Sequence, residues 1–318
     1  MKKIIIVLFI TIIGSIIYSK FSKLDTIVVS VENTSEIPSG SGIVFHNDEY
    51  FIIGDDSPWL YKYEDETIEK KTLISYKHKT SQGRVDKKKK ADFEDIDIVN
   101  YNKKEYLFVV SSGSKKLYRD TVFVLNAVNP EIILFKKNIR PLYDKMKKKA
   151  GLKKVNIEGF TSDENQVYFA HRGNHDRNVI FKIDKKKFFD FIQDKNKKTP
   201  DFRVLSIQLP TDEGMQAGFS SLQFVKEINS LLFTASLEGS KDAYNDGEIK
   251  GSYIGILPIN EPHKITTTPL MKDRKFVITK LEGITVYEFD ASNNEIKAIA
   301  VSDNDDGKTE IFNIKIRY

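Results

Sequence analysis

A short apolar strand recurs along this chain at a nearly constant interval, and that interval limits the fold more than any other feature. The copies open on Ser41-Gly42-Ile43, Glu94-Asp95-Ile96, Glu158-Gly159-Phe160, Ser220-Ser221-Leu222 and Glu282-Gly283-Ile284, so successive openers stand 53, 64, 62 and 62 residues apart. A turn and a second apolar strand follow each opener, at 50–57, 106–113, 167–174, 231–238 and 296–305. Third strands are expected at 60–63, 121–125, 179–183, 252–257 and 309–316. Fourth strands are expected at 71–75, 132–136, 203–208 and 264–269. A period near 60 built from four short strands predicts an all-β, five-bladed propeller. The fifth copy ends after its third strand, and the spare strand at 26–32 supplies the missing fourth. That exchange closes the ring and leaves no long unpaired edge. A six-bladed ring is the alternative.

Residues 1–22 read as a targeting segment. Lys2 and Lys3 precede an apolar run from Ile4 to Tyr18. This is the pattern of a signal peptide, or of an N-terminal membrane anchor if it is not cleaved. As a helix the run spans about 22 Å, short of the roughly 30 Å hydrocarbon core. The propeller is therefore expected over 23–318, in an exported protein that meets a membrane only through its N-terminal segment. The chain has no Cys, which excludes disulfides, thiolate zinc sites and a cysteine nucleophile. Its 50 Lys+Arg nearly balance 45 Asp+Glu, and no reading motif accompanies the lysines, so no nucleic-acid partner is expected. Short helices are expected at 141–150 and 185–195, and the lysine runs there and at Lys87–Lys90 read as solvated loop faces. Ser302-Asp303-Asn304-Asp305-Asp306-Gly307 and Asn245-Asp246-Gly247 read as hairpin turns, and Trp59 as packing between blades.

In a propeller the first strand of each blade lines the central channel. Ser41, Glu94, Glu158, Ser220 and Glu282 would then form one ring about the axis. Three carboxylates in a narrow channel repel one another unless they are protonated or share a cation. An all-oxygen shell from three Glu, two Ser and water suits Ca²⁺ better than Mg²⁺, and the absence of Cys and His from the ring argues against Zn²⁺.

The order Ser, Glu, Glu, Ser, Glu, one per blade, resembles the calcium-activated nucleotidases (soluble apyrases). Segments 42–62, 219–225 with 231–239, 251–257 and 280–284 look alike as well. Over nearly its full length the chain also resembles an uncharacterised bacterial propeller family, through GDDSPWLYK, NIEG, HRGN, FTAS, NDG and DNDDG. Phytase-like propellers are a more distant likeness. The nucleotidase resemblance implies one Ca²⁺ on the five ring residues and a catalytic mouth. Its segment with two Asp and an Arg appears here as Asp55-Asp56-Ser57, without the Arg. Its Lys-Ser-Glu-Glu segment appears as Ser236-Leu237-Glu238-Gly239, without the Lys, while Arg172 matches a third-blade Arg. Two functions are therefore expected from this ring. One is a Ca²⁺-dependent hydrolase of phosphate esters or anhydrides, with Asp55 or Asp56 as base, Arg172 as charge clamp, and His171 and Glu238 as further catalytic candidates. The other is a non-catalytic propeller with a structural Ca²⁺, whose mouth binds a small-molecule or phosphorylated ligand or a partner. A monomer is expected in either case.

Overall fold

The computed structural model describes residues 24–74, 80–81, 83–173, 176–239 and 248–318. The targeting segment and the turn at Asn245-Asp246-Gly247 lie outside the described residues. Five four-stranded antiparallel sheets are arranged as the blades of one propeller, so the ring has five blades and not six. Their innermost strands are Gly40–His46, Phe93–Tyr101, Ile157–Ser162, Gly218–Val225 and Leu281–Asp290, and neighbours in this order touch around the axis. Strand Asp25–Thr34 pairs with Thr309–Arg317 as the outer strand of blade 5, which closes the ring.

The second strands of the blades carry mostly apolar runs because both of their faces are covered. Blade faces pack on one another in five clusters, one per interface, and these clusters form the core. The largest lies between blades 2 and 3, where Phe108, Phe160, Phe169 and Phe188 stack and cross. Trp59 is half-buried against the cluster shared by blades 1 and 5. The blade 2–3 interface also takes in both helices. Arg140–Ala150 buries Leu142, Tyr143 and Met146 and stops at Gly151, whose φ of 65° satisfies the last carbonyls from the left-handed region. Lys185–Ile192 is N-capped by Asp184, whose side chain accepts from the Lys187 N–H. Among the described residues no helix is long and apolar enough to cross a membrane.

Three local readings need correction. The fourth strand of blade 1 is Thr67–Leu73, not 71–75, because Asp65 and Glu66 both take positive φ and turn the chain early. Lys90 and Lys185 do not lie on solvated faces. Lys90 is buried between carboxylates, and Lys185 is buried with its ammonium donating to the Asn100 carbonyl at 3.0 Å. Small hairpins at Thr80–Ser81 with Arg84–Val85, Thr211–Asp212 with Met215–Gln216, and Met271–Lys272 with Lys275–Phe276 were not expected. They fill connections from the outer strand of one blade to the inner strand of the next. Asp303 and Thr309 bound the acidic string in blade 5, which is the hairpin connection expected of it.

Candidate functional site

Each inner strand carries a β-bulge near its start, and the bulged residue is the ring residue in all five blades. Pairing jumps from Gly40 to Gly42, from Phe93 to Asp95, from Ile157 to Gly159, from Phe219 to Ser221 and from Leu281 to Gly283. The skipped residues are Ser41, Glu94, Glu158, Ser220 and Glu282. A bulge leaves one residue out of the ladder and re-aims its side chain. Repeated five times, it frees the ring side chains from the alternation of their strands.

The result at the axis is a buried carboxylate trio. Glu94, Glu158 and Glu282 each place an oxygen within 4.8 Å of the others. The two serines are turned to their neighbours. Ser41 Oγ donates to the Phe93 carbonyl at 2.6 Å, and Ser220 Oγ lies 3.1 Å from both Thr234 Oγ1 and Ser236 Oγ. Directly after the bulge, Gly42, Gly159 and Gly283 let the strands close on the axis. A Cβ on Gly159 would stand 2.7 Å from Leu222 Cβ, and one on Gly283 2.9 Å from Gly42 Cα. Asp95 takes the equivalent place in blade 2. Its Oδ2 accepts N–H groups from Phe160 in blade 3 at 2.7 Å and from Leu222 in blade 4 at 3.3 Å. Asp95 therefore stitches three blades beneath the trio.

The mouth above the ring is built from charge pairs. Arg172 is buried, with Nη1 3.3 Å from Glu282 Oε1 and 3.7 Å from Glu158 Oε2, and Nη2 2.8 Å from Glu238 Oε1. Lys280 Nζ lies 3.1 Å from Glu282 and 3.2 Å from Glu238. Across the opening, Lys90 contacts Asp55 and, at 3.0 Å, Asp92, while Arg84 Nε meets Asp56 Oδ2 at 2.6 Å. Arg119 Nη1 holds the second Asp92 oxygen at 2.7 Å. Asp55, Asp56, Arg172 and Glu238 thus lie at the same end of the channel. His171 does not join them. Its ring Nδ1 sits 3.0 Å from the Asn156 backbone, and Nε2 is buried with no partner among the described residues.

Electrostatics divide this cluster into two groups. Burial, then the Glu158 charge, pushes Glu94 well above the carboxylate range. Burial raises Glu158 despite Arg172, and raises Glu282 to about 7 despite Lys280. Burial also raises Asp303 to about 7, with Asp55 adding to it. Glu238 and Asp92 behave oppositely. Burial works against their charge, but Arg172 with Lys280, and Lys90 with Arg119, outweigh it and hold both at about 2. Burial depresses His171 to about 4, so its imidazole is neutral near neutral pH. The trio is therefore short of positive charge, while Glu238 and Asp92 beside it are already paired. An all-oxygen trio of this kind fits a hard divalent cation.

Reading the ring strands two residues upstream would have found much of the mouth. Side chains two apart share a face of a strand. That position holds Ser39, Asp92, Asn156, Gly218 and Lys280, and Asn156 donates to Glu158 as Lys280 pairs with Glu282. Arg84, Lys90 and Arg119 come from connections and carry no such periodic signal.

Residues 36–316 match the Family of unknown function (DUF6929), so the chain belongs to that family. No curated protein matches the chain. Similar solved structures include the glutaminyl cyclase of Myxococcus xanthus, at 9% identity, covering 93% of this chain and 98% of that one with a TM-score of 0.49. They also include an α-L-arabinofuranosidase of Podospora anserina, at 8% identity, covering 92% and 96% with a TM-score of 0.48.

Proposed function

For this member of a family without an assigned activity, we propose an exported propeller that holds one Ca²⁺ on its axis and uses it to lock the blades and shape a ligand-binding mouth. One observation carries the reading: three buried carboxylates from three different blades meet within 4.8 Å of one another. Such a group needs either protons or a cation, and glutamate oxygens with serine hydroxyls and water favour Ca²⁺. Glu94, Glu158 and Glu282 would hold the ion, with Ser41 and Ser220 at the two remaining ring positions. The bound ion would supply the positive charge that Arg172 and Lys280 only partly provide. Residues 1–22 would direct export.

Binding is favoured over catalysis because the cations gathered about the ring already face carboxylates: Arg84 on Asp56, Lys90 on Asp55 and Asp92, Arg119 on Asp92, Arg172 and Lys280 on Glu238 and Glu282. A phosphorylated ligand would have to compete with those acids. A Ca²⁺-dependent phosphoric ester or anhydride hydrolase is the second reading. It is supported by the guanidinium of Arg172 standing 3.3 Å from a ring carboxylate, where it could face a phosphoryl oxygen. In that reading Asp55 or Asp56 is the base, whereas His171 is held away on backbone.

Calorimetric titration of chelator-stripped protein with Ca²⁺ tests the metal directly. Binding at one site per chain is expected, with a thermal shift equivalent to about 2.7 kcal/mol at roughly 100 times Kd. Glu158→Gln should weaken affinity at least tenfold, and an unchanged affinity would remove Glu158 from the site. A panel of nucleotides, phytate and simple phosphate esters then separates the two readings. Ca²⁺ binding without turnover supports the binding mouth, and Ca²⁺-dependent turnover lost in Arg172→Met supports the hydrolase.

A further inference from the structure

The ring residues stand at the start of the inner strands, and a second opening lies where those strands end. There the chains of blades 2, 3 and 4 enclose a cleft of about 460 Å³, enough for one small organic molecule. Its rim is fixed by turn chemistry. Asn102 and Lys103, which follow the inner strand of blade 2, take φ of 51° and 60°, the paired positive values of a tight hairpin. Its floor is pinned by one hydroxyl that ties three blades together. Thr161 Oγ1 donates to Asp97 Oδ2 at 2.6 Å and accepts the Phe224 N–H at 2.9 Å.

Lys185, the first residue of helix Lys185–Ile192, lines this cleft. It is 4% exposed, and among the described residues its Nζ has one partner, the Asn100 carbonyl at 3.0 Å. An ammonium carries three donors, and burying it for one neutral hydrogen bond is costly. The acids of the cleft do not take the other two. Asp163 gives Oδ1 to the Asn165 and Gln166 N–H groups, each at 2.7 Å, and Oδ2 to the Tyr168 hydroxyl at 2.5 Å. Asp97 is engaged by Thr161, and burial raises it to about 7, so its charge is incomplete near neutral pH. Glu164 is exposed on the rim. Burial accordingly lowers the Lys185 ammonium from its ordinary range, and Asp163, Asp97 and Glu164 oppose this only in part. Lys103 and Lys226 stand exposed on the rim, and among the described residues neither meets a carboxylate.

We propose that this cleft is a second ligand site, separate from the axial ring, that takes a small hydroxylated anion, a sugar acid or a sugar phosphate, with its oxyanion on Lys185 Nζ. The oxyanion accepts the N–H groups that the Asn100 carbonyl leaves over, and Lys103 and Lys226 draw it in. The remaining walls set the rest of the molecule. The amides of Asn100 and Asn102 and the hydroxyl of Ser162 suit ligand hydroxyls, and the rings of Tyr101 and Phe224 suit a carbon skeleton. A bare inorganic anion would leave most of the volume unfilled, and an apolar molecule would leave the amides and the ammonium unpaired. None of these contacts involves Glu94, Glu158 or Glu282, so the site does not depend on an axial cation.

The test is calorimetry on the whole chain with glucuronate, glucose 6-phosphate and glucose as probes, each with and without a calcium chelator. Saturable binding at one site is expected for at least one charged sugar, about tenfold or more tighter than for glucose and unchanged by the chelator. Binding of glucuronate alone assigns a carboxylate ligand, and of glucose 6-phosphate alone a phosphate ligand. Lys185→Met should lower the affinity about tenfold or more. Lys103→Glu with Lys226→Glu changes only exposed side chains and should lower it about fivefold. A melting curve checks that Lys185→Met is folded, and if it is not, the rim variant decides. Failure of both charged sugars to bind, glucose binding as tightly as they do, affinity lost with the chelator, or unchanged affinity in a folded variant overturns the proposal.

Discussion

Arg172 is the residue on which the axis turns. It is 5% exposed and reaches carboxylates from blades 3, 4 and 5, so its charge is desolvated and shared. Removing one member of a buried ionic group leaves the others uncompensated, which typically costs 3–5 kcal/mol, more than the pair contributes in surplus. Arg172→Met should therefore lower metal-free stability by about 3 kcal/mol in urea denaturation. The same substitution should tighten Ca²⁺, because the trio loses a competing cation. A variant that is less stable without Ca²⁺ and binds it no better would show that Arg172 is not facing the ion. The ring residues themselves could be found by spacing, because one chemistry-bearing side chain recurs at one place in every unit. Lys90 could not. It belongs to a lysine run that looks solvated, and only the folded chain shows its last member buried between Asp55 and Asp92.

At the scale of the element, the five bulges are the device that makes a ring. The glycine after three of the openers is legible as a place where backbones crowd, and the distances bear this out at Gly42, Gly159 and Gly283. Gly159→Ala is the clean probe. Its new methyl would meet Leu222 Cβ at 2.7 Å, Ala170 Cβ at 3.1 Å and Leu222 N at 3.1 Å, so blades 3 and 4 would have to part. Overpacking of this kind costs about 1–3 kcal/mol, and here it should also weaken Ca²⁺ by shifting Glu158, read by calorimetry and thermal melting together. A stabilised or unchanged variant would mean that the strands have room to spare. The strand boundaries most easily misplaced are outer ones, such as Thr67–Leu73, where turn chemistry and not hydrophobic period sets the start. The small hairpins escaped sequence reading for the same reason. Two-residue strands are too short to show a period.

Across the whole molecule, protonation couples the axis to the stability of the closed ring. Glu282 has an ordinary carboxylate pKa near 4.5 when unfolded and about 7 when folded without metal. Its contribution is full below about 4.5 and is lost as pH rises through about 7. His171 acts with the opposite sign. Its imidazole falls from an ordinary 6.5 to about 4 on folding, so its contribution is present above about 6.5 and lost as pH falls toward 4. Glu94, Glu158 and Asp303 are raised in the same direction as Glu282 and outweigh the single opposing imidazole, so without Ca²⁺ stability should fall as pH rises toward 7. Ca²⁺ requires the ionised trio, so the thermal shift it produces should grow from pH 5 to about 7.5. A Ca²⁺ shift that stays flat over that range would separate the ion from the trio. By itself the sequence determined the number of blades, the closing strand and which residue of each unit faces the axis, because repetition writes the same short-range pattern five times. Tertiary structure alone decided how that axis is charged. Arg84 and Lys90 come from a connection between blades whose path depends on ring closure, and desolvation, which sets whether a carboxylate is paired, protonated or waiting for a cation, exists only after the blades have packed.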